Sequence, residues 1–531
     1  MTEQNLYLKQ NVLVEPLFNQ WFAWPYLIAP ATAAMYVENW HIKIMRSFIA
    51  APQIHISAQK NSAMVGGPFI NYSVDRLDEI KDLLEKTLRE NKPLLQLASA
   101  IKTLDKKLQT EAIGYSLESL YQEVPEPLQG YVELVYDLHN HPSMRFIEGL
   151  IYKSPYFQSS SQSIALSLIH KDNRTFVLTT PRLKDPQYLH LQIPFSHKGL
   201  DKFFQMKTVP KPLSYIKEQL NVQENEELFS SFFTEEAPPP HMKYKDKDVR
   251  IRYYGHACIL IETSKTSVLI DPVISYKFDN NGIPRYTFED LPERIDYVLI
   301  THNHQDHILF EVLLQLRYKI ETIVVPKNGS GELADPSLKM LLKNIGFRNI
   351  IEIDEMEAIE IEDGTLTGFP FFGEHSDLNI RTKLAHLIRI KGHSILCVAD
   401  SNNLQPKLYD HLSALIGKLD ILFVGMECDG APLTWLYGPL LTRSMSRKMD
   451  QSRRLNGSHF ERAIDMVERL KPQQVYVYAM GAEPWLTHLT SLSYTEMSKP
   501  IVESNKLLEE CNRRGLVSER LFGKKEIILP V

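Results

Sequence analysis

Apolar positions recur along the chain with two different rhythms, and the change falls near residue 240. In "DRLDEIKDLLEKTLRENKPLLQLASAIKTL", residues 75–104, they return every three or four places, which predicts an amphipathic helix. "SIALSLI", "TFVLTT" and "LHLQIPF" predict short strands, so residues 1–235 read as a mixed α+β domain. The seam "TEEAPPPHMKYKDKDVR", residues 234–250, breaks every hydrophobic period with three prolines and alternating charges, and places a linker at 236–248. Beyond it, residues 249–531 carry short apolar runs: "VRIRYYGHACILIET", "SVLIDP", "YVLITHNH", "TIVVP", "SILCVADS", "ILFVGME" and "QVYVYAM". Helical patterns such as "FEVLLQLRYK" and "FERAIDMVERL" lie between several of them. This predicts an α/β domain of sheets flanked by helices, with polar chemistry gathered at strand ends.

The densest chemistry is "LITHNHQDHILF", residues 299–310. In extended backbone, side chains two apart point the same way, so His302 and His304 can converge on one metal ion while Asp306 and His307 face a second. Two ions close together clamp a small bridging molecule. In "FPFFGEHSDLNI", residues 369–380, Glu374 and His375 compete for the first ion. His375 would complete a three-histidine, zinc-type set; Glu374 would complete the set of two histidines and one carboxylate associated with non-haem iron and oxygen. Asp400 in "CVADS" and Glu427 in "LFVGMECDG" end further strands, Asp400 being the natural bridging ligand. Four carboxylates, Asp306, Glu374, Asp400 and Glu427, suit oxidised iron better than zinc and tilt the choice to a di-iron site.

"YYGHACILIET", "VLIDP", "THNHQDH" and "VADS" resemble successive motifs of the metallo-β-lactamase superfamily over roughly residues 248–530, which implies an αββα sandwich with two metals at one edge. With Glu374, Asp400 and Glu427 added, the whole chain resembles the two-domain di-iron β-hydroxylases of the chloramphenicol-pathway type. That resemblance implies His302, His304 and Glu374 on one iron, Asp306, His307 and Glu427 on the other, and Asp400 between them. Glu374 and Asp400 are then the candidate catalytic residues. It also implies two oxo- or hydroxo-bridged irons, O2 as cosubstrate, and an amino acid held as a thioester on a nonribosomal peptide synthetase carrier domain in antibiotic biosynthesis. No flavin or iron–sulfur motif is present, so the electrons require an external donor, a reductase. The alternative is a binuclear zinc hydrolase using His375. A flavodi-iron reductase is disfavoured because position 304 is histidine, not glutamate.

Composition narrows the partners. A net charge of -6 gives no general attraction to nucleic acid. Cys258, Cys397, Cys428 and Cys511 form no CxxC pair, which fits a reducing cytoplasm, and "MTEQNLYLKQ" has no signal-peptide pattern. "WPYLIAPATAAMY" is too short to span a bilayer, so no membrane segment is expected. Arg443, Arg447, Lys448, Arg453 and Arg454 form a basic run that reads either as a solvated helix face or as a docking surface for an acidic carrier protein. His256 reads as core packing or as support behind the metal ligands, and His375, if not a ligand, as such support. His139 and His141 lack a following DH and a clear preceding strand, and read as surface residues. Trp21, Trp24 and Trp40 suggest core or subunit contacts, and the N-terminal domain is expected to serve homodimerisation and carrier docking.

Overall fold

In the computed structural model, which describes residues 4–61, 64–240, 243–279 and 282–531, the second half of the chain builds two seven-stranded sheets face to face. The first runs Ile350–Ile353, Ile320–Pro326, Ile295–Leu299, Ser267–Ile270, Cys258–Glu262, Val249–Gly255 and Lys525–Leu529. The second runs Ala358–Ile361, Gly364–Phe369, Ala385–Ile390, His393–Cys397, Ile421–Gly425, Gln474–Tyr478 and Val517–Arg520. The period-two alternation explains why both faces of each sheet are apolar. Ile259 and Ile261 face the inter-sheet core with Val268 and Ile270, while Cys258, Leu260 and Leu269 face outward into a second core. Likewise Ile421 and Phe423 point between the sheets, and Leu422 and Val424 point to the helices Pro406–Ile416, Phe460–Leu470 and Lys499–Arg513. This is the αββα sandwich, with a mixed α+β N-terminal region packed on it.

That N-terminal region covers the outer face of the first sheet. Trp24, Phe203 and Phe204 share one continuous core with Leu260, Leu269, Val298 and Ile323. Tryptophans 21 and 24 are buried there and Trp40 is half-buried. Strand Phe233–Thr234 pairs back onto Asn5–Leu8, and the catalytic sheet begins at Val249, with the seam between them. Residues 1–3, His241 and Met242, which the expected divisions include, lie outside the described residues.

Three local expectations are corrected. The long helix is two, Leu77–Glu90 and Lys92–Glu111, because Pro93 starts a new first turn and Asn91, bonded through its side chain to Thr87 O at 3.2 Å, closes the old one. "TFVLTT" is not a strand. Its polar groups go elsewhere than to a neighbouring strand: Val177 N to the O of His488, in the short helix Thr487–Thr490, at 2.9 Å, and Thr180 Oγ1 accepting from Asn71 N at 3.0 Å. A strand, Val132–Tyr136, does precede the turn bearing His139 and His141, where His141 Nδ1 lies 2.9 Å from Asp137 at an exposed site. No helix among the described residues is long and apolar enough to cross a membrane.

Candidate metal centre

Parallel strands in register bring their C-terminal ends to one edge, and the site is built there. Ile270 pairs with Leu299, Cys397 with Phe423, and Gly425 with Tyr478. The residues that follow those ends are Asp271, the 301–307 loop, Asp400, Glu427 and Ala479. Glu374 arrives from the loop after Gly364–Phe369, and His256 from the two-residue hairpin loop closed by the Gly255–Cys258 pair. Several of these residues are left-handed without being glycine: His256 at φ 52°, Asp271 at 40°, Glu374 at 63° and Ala399 at 46°. Each such conformation costs about 1–3 kcal/mol and persists only where surrounding structure holds it. Gly425 is required for a different reason, since a Cβ there would sit 2.3 Å from Ala399 O, against the turn that presents Asp400.

The ring nitrogens of three histidines converge with two carboxylates. His302 Nε2 lies 3.7 Å from Asp400 and 3.9 Å from Glu374. His304 Nδ1 lies 2.9 Å from Glu374, and His307 Nε2 lies 3.0 Å from Asp400. The opposite nitrogen of each ring is held by a protein oxygen: His302 Nδ1 by Thr301 Oγ1 at 3.0 Å, His304 Nε2 by Tyr437 Oη at 2.8 Å, and His307 Nδ1 by Asp271 Oδ2 at 2.8 Å. Because Thr301 donates its own hydroxyl to Asp271 at 2.6 Å, its oxygen is free to accept from His302. Each imidazole can therefore give one nitrogen to a protein oxygen and turn the other toward the centre.

Three groups of donors have the spacing for a metal ion: His302 with His304 and Glu374; His302 with His307 and Asp400; and His256 with Asp306 and His307. His375 belongs to none of them. Its Nδ1 lies 3.0 Å from Glu374 Oε2, and its ring stacks on His304 at 4.6 Å. Glu427 lies in the same cavity but outside those groups, with one oxygen accepting from Tyr494 at 3.3 Å and the other buried without a partner.

Cations suit this set. His302 Nε2, Asp400 Oδ1 and Glu427 Oε2 are buried without a hydrogen bond, and Glu374 Oε2 makes none despite its contact with His375, a costly arrangement unless something positive sits among them. Burial, with the Asp400 charge adding to it, pushes Glu374 up to about 7 against the pull of His304, and pushes Glu427 up to about 8. Burial and the neighbouring imidazoles hold His302 well below the usual histidine range. Burial opposes the charged form of His307, yet Asp400 and Asp271 outweigh it and raise that pKa. Burial likewise acts to raise Asp306, but the His256 hydrogen bond and His307 bring it below the carboxylate range. Carboxyls that resist ionisation, and a His307 that favours its protonated form, are what divalent ions reverse on binding, by displacing protons.

The site opens into a cavity of about 610 Å³. Its walls include Trp435, Leu436 and Met480, and the N-terminal segment Met64–Gly67 with Phe69 closes one side. Trp435 Nε1 donates to Gly66 O at 3.0 Å, which ties the two regions at this wall.

The basic run divides. Arg443, Arg447 and Lys448 are exposed, and Arg443 lines a separate groove with Lys43 and Lys102. Arg453 is half-buried, its Nε donating to Ser376 O at 2.8 Å beside the Glu374 loop. Arg454 lines the main cavity and bonds Gln451 at 2.8 Å. Asp450 is occupied with Thr434, N and Oγ1 at 2.8 and 2.9 Å. Asp271, Tyr437 and Tyr494 carry no assignment from sequence. Asp271 stands in the quoted "VLIDP", whereas the two tyrosines reach the site from loops with no local signal.

Comparison with known proteins agrees with this geometry. The chain matches the diiron non-heme beta-hydroxylase N-terminal domain over residues 7–238 and the beta-lactamase superfamily domain over residues 266–478. It is 38% identical to the 4-amino-L-phenylalanyl-[CmlP-peptidyl-carrier-protein] 3-hydroxylase of Streptomyces venezuelae, covering 98% of this chain and 99% of that one. The chain belongs to the diiron β-hydroxylase family. The crystal structure of CmlA, a diiron beta-hydroxylase from the same organism, superposes with a TM-score of 0.93 at 37% identity over 99% of this chain and 100% of that one. A UPF0173 protein of Pyrococcus abyssi is 29% identical over only 24% of this chain and 50% of its own length. Family membership implies iron, and an enzyme of the monooxygenase class rather than the zinc hydrolase kept open from sequence.

Proposed function

We propose that this chain hydroxylates the β-carbon of an amino acid held as a thioester on a carrier domain of a nonribosomal peptide synthetase. The observation that carries the reading is the convergence of His302 and His304 with Glu374, a carboxylate, in a chain alike end to end to such a hydroxylase. In this reading His302, His304 and Glu374 hold one iron, Asp306, His307 and Glu427 the other, and Asp400 both. When bound, the two ions supply the activation of O2 that insertion into an unactivated C–H bond needs. One oxygen atom enters the product; the other leaves as water with two protons and two electrons from an external reductant.

The chain's own groups do the rest. Tyr437, Thr301 and Asp271 hold the outward nitrogens of His304, His302 and His307, so the opposite nitrogen of each ring is the one that would meet a metal. Tyr494 donates to Glu427, and Arg453 anchors the turn carrying Glu374. Phe69, Trp435, Leu436 and Met480 exclude water from the cavity where the aminoacyl group would lie. Arg454 faces that cavity with an unpartnered Nε, placed to meet a carbonyl or phosphate of the carrier's arm. On the far side of Trp435, Lys43, Lys102 and Arg443 line an open groove suited to an acidic carrier protein, with Arg447 and Lys448 exposed nearby in sequence.

The reading also assigns a cytoplasmic setting, an external reductase, and self-association as a homodimer through the N-terminal region, residues 1–235. Exposed Ile113, Tyr115 and Leu138 support that last assignment. Metal analysis of protein purified without added zinc tests the centre. About two irons per chain, with the Mössbauer signature of a coupled pair, is expected; zinc alone would return the protein to the hydrolases.

A further inference from the structure

His256 sits with Asp306 and His307 at ligand spacing, which makes it look like a third donor to the second ion. Its hydrogen bonds say otherwise. Gly481 N donates to His256 Nδ1 at 3.1 Å, so Nδ1 carries a lone pair. A neutral imidazole with a bare Nδ1 has its proton on Nε2, and a charged one would set two N–H groups against each other at Gly481. Flipping the ring would leave the Gly481 N–H facing carbon. Nε2 is buried, makes no hydrogen bond to another group, and lies at ion-pair distance, 3.4 Å, from Asp306 Oδ2, within a small side-chain adjustment of donating to it. The three histidines assigned as ligands do the reverse, each giving one N–H to a protein oxygen and turning the other nitrogen inward.

We propose that His256 is a hydrogen-bond donor to Asp306: a positioning residue for that carboxylate and not itself a ligand, oriented by the Ala479–Gly481 turn. The turn holds it twice, since Ala479 N also donates to His256 O at 2.9 Å. The inference rests on the reading of Asp306 as a ligand of the second iron.

Side-chain reach provides the test. A glutamine amide nitrogen reaches about as far as Nε2, whereas an asparagine amide reaches only the Nδ1 position. Asparagine also tolerates the left-handed backbone at this residue, so His256→Asn is not expected to fail by misfolding. Iron per chain, and its rate of release to a chelator, are measured for the full-length protein and for His256→Gln, His256→Asn and His256→Ala. The expected result is that His256→Gln keeps both irons, while Asn and Ala release one iron about 10–100 times faster and retain the other. Loss of that iron in all three variants alike would make His256 a ligand and overturn the proposal, and so would unchanged release in all three, which would leave only packing. A parent protein that holds fewer than two metal ions would overturn the two-iron reading itself, and this inference with it.

Discussion

At the residue scale, Glu374 separates oxygen chemistry from hydrolysis, and its setting predicts unequal effects for two adjacent substitutions. On the proposed assignment, Glu374→Ala should abolish hydroxylation with loss of one iron, measured by metal content and product formation. His375→Ala should keep both irons but bind one of them about 10–100-fold more weakly, because its Nδ1 lies 3.0 Å from the Glu374 carboxylate. Equal loss of metal in the two variants would contradict this. Asp271→Asn is the second test: a carboxylate oxygen that accepts from both Thr301 and His307 would be replaced by a group offering N–H to one of them. Iron affinity should fall by about 10–100-fold with little change in folding. The spacing of HxHxDH, and acids at strand ends, were legible because they are local signals. Asp271 and Tyr437 were not assigned, since they meet His307 and His304 across 36 and 133 residues, and no periodicity encodes that distance.

At the element scale, the strands after residue 249 were readable because apolar alternation and short length leave few other structures open to them. "TFVLTT" misled for the same reason: β-branched residues predict a strand, but Val177 N bonds His488 O in a short helix instead of a neighbouring strand. The helix Arg447–Ser452 and its flanks show how charge pattern alone overstates a surface. Reversing Arg443, Arg447 and Lys448 together to glutamate should weaken binding of the aminoacyl carrier protein in a salt-dependent way and leave iron content unchanged. Arg453→Ala should instead disturb the metal centre, because Arg453 holds Ser376 O. Binding isotherms at two salt concentrations, with iron analysis of the same samples, distinguish the two effects. Unchanged carrier affinity in the triple reversal would remove this face from the docking surface.

At the scale of the whole molecule, the N-terminal region is a covering layer for the catalytic sheet and a wall of its cavity, so a deletion starting near residue 240 does not simply remove a docking module. It would expose Leu260, Leu269, Val298 and Ile323, each worth about 1.5–3 kcal/mol of burial, and the shortened chain should be insoluble or molten rather than active. The contact between the N-terminal region and the second half of the chain also carries a buried charge cluster. Arg174 bridges Glu15 at 2.9 Å and Glu311 at 2.8 Å, and Arg182 also pairs with Glu15. Burial acts to raise Glu15, but the two arginines outweigh it and hold the carboxyl well below the carboxylate range. A depressed carboxyl stabilises the fold above its unfolded pKa of about 4.3 and loses that contribution as pH falls below it. The melting temperature of the parent should therefore drop more steeply below pH of about 4 than that of Glu15→Gln, which starts lower; parallel curves would show that the pair is not coupled to folding. The central claim is tested most directly by mass spectrometry of the carrier-bound aminoacyl thioester after reaction of the reduced protein with isotopically labelled O2. The account predicts a thioester still attached to its carrier and heavier by one labelled oxygen atom at the β-carbon. Release of the amino acid with an oxygen atom from water, and none from O2, would contradict it.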